Sequence, residues 1–200
     1  MKQRVLLCTG GIGSGKSYVI RAFNALGVPS YDCDAAAKDL YDRDPALLAG
    51  VVGLCGEDVL DAEGRLDRAA LAGRIFADPS LLARVEALVH PAVIRDFRQW
   101  AAQQPVPLVV IESAILLEKP LPGHIYDYVL AVTAPEEVRL ERALRRGGQD
   151  AGQIRRRMAA QWSDGRRAAC ADFVLDNDGR KPVLPDLLNI IERIKEDGKN

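Results

Sequence analysis

Val5-Leu6-Leu7-Cys8-Thr9-Gly10-Gly11-Ile12-Gly13-Ser14-Gly15-Lys16-Ser17 decides how this 200-residue chain is read. The apolar run Val5 to Cys8 breaks into a glycine-rich turn, and Lys16-Ser17 then opens a segment whose apolar residues, Val19, Ile20, Phe23 and Leu26, recur at helical spacing. The order is strand, loop, helix. Glycines let the backbone curl until successive N–H groups point inward, and the helix N-terminus adds partial positive charge to that hollow. The spacing Gly10-x4-Gly15-Lys16-Ser17 sets an ammonium beside the terminal phosphates of a nucleotide and a hydroxyl on its Mg²⁺.

Working outward, the chain has a formal net charge of −1, so it carries no overall electrostatic footprint for nucleic acid or an anionic membrane, and any anion site must be local. No apolar run approaches the roughly 18 residues of a membrane span, and Met1-Lys2-Gln3-Arg4 leads straight into the phosphate loop; the expectation is a cytoplasmic protein. Cys8, Cys33, Cys55 and Cys170 are far apart with no C-x-x-C pattern, which argues against a zinc cluster or a disulfide scaffold.

The first helix is expected to stop at Gly27, with Pro29 preventing its continuation. A short strand over 29–31 then delivers Asp32-Cys33-Asp34 to its carboxyl end, the edge where open parallel sheets bind ligands. Two readings fit these carboxylates: taking a proton from an attacking hydroxyl or holding Mg²⁺ through water, and capping a helix over 35–42. Residues 45–104 show helical stripes and no convincing strand, with Pro91 expected to kink or interrupt a long helix marked by Leu81, Leu82, Val85, Leu88 and Val89. Such a stretch reads as a substrate-covering lobe, because linkers lack apolar stripes.

Leu108-Val109-Val110-Ile111 has the composition of a buried parallel strand and ends in Glu112, placed where an acid would touch hydrated Mg²⁺. Tyr128 to Val132 and Phe173 to Leu175 are the fourth and fifth strands. Between them, Arg142 to Arg167 holds eight of the twenty arginines and no lysine, flanked by Gly147-Gly148 and Gly152 as candidate hinges. Guanidinium groups clamp phosphates and spread transition-state charge, so a mobile lid is expected, with Arg142, Arg146 and Arg157 foremost; the remainder fit a solvated helix face. Asn177, in the turn Asp176-Asn177-Asp178-Gly179, fits contact with a nucleotide base and capping of the turn equally well. Leu184, Leu187, Leu188, Ile191 and Ile194 form one face of a terminal helix.

Taken together these residues resemble the dephospho-coenzyme A kinase family, within the P-loop kinase group that includes nucleoside monophosphate kinases. The resemblance rests on Thr9 to Ser17, Asp32-Cys33-Asp34, Gly64-x-Leu66-Asp67-Arg68, His90-Pro91, Leu116-Leu117-Glu118, Arg157 to Gln161, Ala171-Asp172 and Asp176-Asn177-x-Gly179. It implies a P-loop NTPase fold: three α/β/α layers on a five-stranded parallel sheet, with core segments 1–34, 105–141 and 168–200, an inserted helical acceptor lobe over 35–104, and an arginine-rich lid over 142–167. It implies transfer of a phosphoryl group from Mg-ATP to the 3′-hydroxyl of dephospho-CoA. By the same resemblance Asp34 is the general base with Asp32 close by. Gly11, Ile12, Gly13, Ser14, Gly15, Lys16, Ser17, Tyr18, Arg157 and Asn177 belong to the ATP side, with Ser17 on Mg²⁺. Lys16, Arg142 and Arg146 act on the transferred phosphoryl, and Thr9, Asp32, Asp34, Arg68, His90 and Leu116 belong to the acceptor side. His90 before Pro91 fits a packing role as well.

Three positions depart from the family pattern: Tyr18 stands in place of the usual threonine, Ala114 where proline is common, and Gly147 where an aspartate often follows the lid arginine. None removes a chemically necessary group. The expected partners are small molecules only, with the chain a monomer or weak homo-oligomer. Two rivals remain at this point: another small-substrate P-loop kinase, and a nucleotide-dependent switch. The absence of an N-K-x-D guanine-recognition sequence weighs against the switch.

Overall fold

A computed structural model describes residues 2–119, 123–148 and 150–197. Gln149, inside the expected lid, and Met1, 120–122 and 198–200, inside the expected core segments, lie outside the described residues. Two compact units emerge, Met1–Asp32 with Gln103–Asn200, and Cys33–Ala102.

The first unit begins with β1 (Arg4–Thr9), the phosphate loop, α1 (Lys16–Ala25) and β2 (Ser30–Asp32). Helix α1 starts as Gly15 turns the chain at φ +92° and ends at Leu26 before Gly27 at φ +77°, a conformation that costs a residue with a side chain about 1–2 kcal/mol. Val19, Ile20 and Phe23 form its buried stripe.

The second unit is helical among its described residues: α2 (Cys33–Arg43), α3 (Pro45–Cys55), a short 3₁₀ turn at Glu57–Val59, α4 (Arg68–Ala77) and α5 (Pro79–Ala102). Aspartates start three of these helices. Asp44 accepts from the N–H groups of Ala46 and Leu47, Asp67 from Ala69 and Ala70, and Asp78 from Ser80 and Leu81, each cap contributing about 1 kcal/mol. Pro91 does not interrupt α5, which stays helical for 24 residues. Pro91 has no N–H to bond the turn before it, and this loss is offset by a buried apolar face of Val85, Val89, Ala92, Val93 and Phe97.

The first unit resumes with β3 (Leu108–Glu112), β4 (Tyr128–Thr133), α6 (Glu136–Arg145), α7 (Ala151–Ala159), α8 (Asp164–Ala169), β5 (Phe173–Asp176) and α9 (Leu184–Asp197). The strands pair in the order β2-β3-β1-β4-β5, and every pairing is parallel. Leu6, Cys8, Val110, Leu130, Val132 and Leu175 meet Val19 and Phe23 of α1 and Leu187, Ile190, Ile191 and Ile194 of α9 in one buried cluster. The register aligns the strand ends: Asp32 is opposite Glu112, Cys8 opposite Glu112, Thr9 opposite Ala131 and Thr133 opposite Asp176. Thr9, Asp32, Glu112, Thr133 and Asp176 therefore share the carboxyl edge of the sheet, the ligand-binding edge of open α/β folds.

Candidate active site

The loop from Gly10 to Gly15 is moulded on the side chains and backbone behind it. A Cβ on Gly11 would run into the Arg139 guanidinium, one on Gly13 into the Arg139 carbonyl, one on Gly15 into the Asn177 carboxamide, and one on Gly10 into the Val132 carbonyl. Gly13 and Gly15 also need φ of +78° and +92°. Arg139, 7 % exposed, donates from Nε to the Ile12 carbonyl at 3.0 Å. Asn177 donates from Nδ2 to the Ser14 carbonyl at 2.8 Å and from its own N–H to Thr133 at 2.8 Å. Its carboxamide thus shapes the loop and Asn177 also lines the cavity beside it, while the turn that follows is capped by Asp178, which accepts from the Arg180 N–H at 2.8 Å.

Lys16 reaches back over the loop and donates from Nζ to the Gly10 carbonyl at 2.8 Å. Beneath it Cys8 is fully buried, and burial pushes its thiol up to about 12, so it is an inert core residue. The hydroxyls of Thr9 and Ser14 are buried without a hydrogen-bond partner among the described residues.

Beside the loop opens a cavity of about 590 Å³, reached by Gly15, Ser17 and Tyr18. Among the described residues six cations line it, Arg21, Arg142, Arg145, Arg146, Arg180 and Lys181, and no acid does. A hollow so charged attracts polyanions and raises their local concentration. Arg142 is fixed within it by donating from Nη1 to the Asn177 carbonyl at 2.8 Å. Arg142 and Arg146 thus line the cavity beside the loop, whereas Arg157, on α7, is not among its lining residues. Gly147 and Gly148, at φ +74° and +83°, break the chain between α6 and α7; Gly152 is an ordinary helical residue in the first turn of α7, not a hinge.

Asp32 ends β2 and is exposed; Asp34, also exposed, stands in the first turn of α2. In the helical unit, Arg68 donates to the Lys38 carbonyl at 3.0 Å and to Asp42 at 3.2 Å, and His90 is half-buried in the middle of α5. Leu116 is 4 % exposed and packs inside the first unit.

Three residues outside the expected site are built into it. Arg139 looks from sequence like one more charge on a surface helix; its only signal is its place one turn before Arg142 on α6. Asp164 pairs with Arg139 Nη1 at 3.0 Å, and Arg167, fully buried, pairs with Asp164 and with Glu118. The arginine cluster is therefore divided: Arg142, Arg145 and Arg146 line the cavity, while Arg167 is structural.

Comparison with known proteins accounts for this arrangement. The dephospho-CoA kinase (CoaE) family model matches residues 4–182. A dephospho-CoA kinase of Porphyromonas gingivalis (strain ATCC BAA-308 / W83) is 40 % identical over 188 residues, 94 % of this chain and 92 % of that protein. One from Bacteroides fragilis (strain YCH46) is 38 % identical over 184 residues, 92 % of this chain and 89 % of its own length. Among solved structures, TT1252 from Thermus thermophilus superposes with a TM-score of 0.83 at 32 % identity, covering 98 % of both chains. The dephospho-CoA kinase of Campylobacter jejuni shares the fold, with a TM-score of 0.59 at 20 % identity over 96 % of this chain and 97 % of that one. With a match over nearly its whole length, a phosphate loop at the carboxyl edge of a parallel sheet and an arginine-lined cavity beside it, this chain belongs to the dephospho-CoA kinase family.

Proposed function

We propose that the protein transfers the γ-phosphoryl group of ATP to the 3′-hydroxyl of the ribose of dephospho-CoA, giving coenzyme A and ADP in the cytoplasm. The observation that carries this reading is the loop Gly10–Ser17 with its six-cation cavity, in a chain of this family. The triphosphate lies along the loop amides and Lys16, and the nucleoside end of ATP occupies the cavity with Arg142 and Arg146. Tyr18 borders the same cavity and lies along the nucleoside.

The donor set suits Mg²⁺. That ion takes one or two protein oxygens and fills its remaining positions with water and phosphate, and among the described residues there is no cluster of three or more acids, histidines or cysteines that could cage a metal by itself. Ser17 would hold it directly, with Asp32 and Glu112, aligned on adjacent strands, reaching its waters. When bound, the ion offsets charge on the phosphate oxygens.

Asp34 accepts or orients the proton of the acceptor hydroxyl. Lys16, Arg142 and Arg146 stabilise charge on the moving phosphoryl group, and Arg157 joins them from α7 when the lid closes to exclude water that would otherwise hydrolyse ATP. Thr9, Asp32, Arg68, His90 and the Leu116 segment serve the acceptor. The chain acts as a monomer or weak homo-oligomer on small molecules; no helix among the described residues is long and apolar enough to cross a membrane. Coupled ADP release across a panel of acceptors tests the assignment: turnover with dephospho-CoA should exceed that with nucleoside monophosphates or sugars, and equal or higher turnover with another acceptor would overturn it.

A further inference from the structure

Both polar backbone groups of Ile12, at the crown of the phosphate loop, are engaged: its N–H by the short link between α7 and α8, and its carbonyl by Arg139 of α6, which the start of α8 holds in turn. The Ile12 N–H donates to Gln161 Oε1 at 3.0 Å. The Ile12 carbonyl accepts from Arg139 Nε at 3.0 Å, and the other end of that guanidinium is locked by Asp164 Oδ1 at 3.0 Å. Gln161 lies in the link and Asp164 opens α8. The link is itself anchored: Arg167 Nη1 donates to the Trp162 carbonyl at 2.6 Å and to Asp164 at 3.3 Å, while the Trp162 N–H donates to Glu118 at 3.3 Å.

The two ends of α7 are thus tethered differently. Its N-terminal side joins α6 through Gly147 and Gly148, which have positive φ and, among the described residues, open space around them, whereas the link at its C-terminal side is tied to Ile12 directly by Gln161, and Asp164 beyond it indirectly through Arg139 of α6. Gly11 and Gly13, the neighbours of Ile12, lie so close against Arg139 that the loop cannot reshape there without lifting off it. A displacement of α7 that drags the link must therefore move the Ile12 peptides, and a nucleotide that fixes the loop must fix the link.

We propose that Gln161 and Asp164 are positioning residues that couple the phosphate loop to the lid helix α7, so that nucleotide binding and lid ordering strengthen each other. This rests on the nucleotide reading of the loop. Coupling of this kind is reciprocal: whatever the nucleotide does to α7, α7 does to the affinity for nucleotide.

The test uses the full chain with Mg²⁺ and a non-hydrolysable ATP analogue. Binding is measured by calorimetry and amide exchange in residues 151–159 is followed with and without the analogue, for the wild type and for Gln161→Met, which keeps the side chain's length but removes the acceptor. In the wild type the analogue should slow exchange in α7. In Gln161→Met the affinity should fall about three- to tenfold, the loss expected for one hydrogen bond, and the slowing should largely vanish while the melting temperature without nucleotide is unchanged. Asp164→Asn should act the same way; because it takes the carboxylate from the buried Arg139 guanidinium and leaves Arg167 with Glu118 alone, any fall in its melting temperature is read separately. Unchanged affinity in Gln161→Met, or full retention of the slowing in α7, would overturn the coupling. A wild type that binds no analogue at all would overturn the functional reading itself, and the coupling with it.

Discussion

Asn177 and Ser14, 163 positions apart in the chain, meet where the Asn177 carboxamide donates to the Ser14 carbonyl at 2.8 Å, and both residues are buried. The bond holds the peptide between Ser14 and Gly15 at the entry to α1. Replacing Asn177 by Asp removes the donor and sets a negative charge under the phosphate seat. Asn177→Asp should weaken ATP binding at least about tenfold, since the Ser14 carbonyl is left with only the long contact from Arg142 at 3.5 Å and the charge repels the ligand, while Asn177→Ala should cost less because it adds no charge. Titration calorimetry with Mg-ATP checks the order; equal losses in the two variants would mean that charge is irrelevant there.

Gly13 and Gly147 both have positive φ, +78° and +74°, but only Gly13 is crowded by backbone. Gly147→Ala should therefore cost about 1–2 kcal/mol from its dihedral alone. Gly13→Ala adds a clash with the Arg139 carbonyl, which has no flexible end to swing aside, and should abolish measurable ATP binding as well as lower the melting temperature further. Thermal melts of the two variants side by side decide it.

Removal of Lys16 or Asp34 should separate binding from chemistry. Lys16→Ala should lower kcat about 10²- to 10³-fold, the usual loss on deleting one preorganised charge at a transition state, and weaken ATP as well. Asp34→Asn should lower kcat about 10²-fold or more with ATP affinity intact, as expected of a general base. Near-full turnover by Asp34→Asn would remove Asp34 from that role and return attention to Asp32.

The thiol of Cys8 is pushed up to about 12 by burial from its ordinary value of 9.0. Its contribution to stability is fully present below pH 9, where the thiol is neutral in both folded and unfolded chains, and is lost as pH rises from 9 toward 12, where only the unfolded chain ionises. Urea unfolding between pH 8 and 11 should show stability falling with pH, and Cys8→Ala should flatten that slope.

The parallel sheet was legible because its strands are short apolar runs, Val5–Cys8, Leu108–Ile111 and Tyr128–Val132, that a helix-length pattern does not fit. The phosphate loop was legible because its glycines and lysine have a fixed spacing that the chemistry demands. Glycine hinges were harder to read: Gly147 and Gly148 break the chain between α6 and α7 with positive φ, but the capping of α7 by Asp150 and Gln153 draws Gly152 into the helix. Arg139 and Arg167 could not be told from surface arginines, since burial of a guanidinium depends on partners, Asp164 and Glu118, that lie up to 49 positions away. The role of Asn177 was undecidable for the same reason, its partner Ser14 being near the other end of the chain.

The reaction itself gives the decisive reading. Purified protein is incubated with Mg-ATP and dephospho-CoA, and the product is examined by fragmentation mass spectrometry for the position of the added phosphate. One phosphate on the 3′-oxygen of the ribose, formed with an equal amount of ADP and absent when Lys16 is replaced by Ala, is the expected result. ADP formed without a phosphorylated acceptor, or a phosphate added elsewhere, would contradict the assignment.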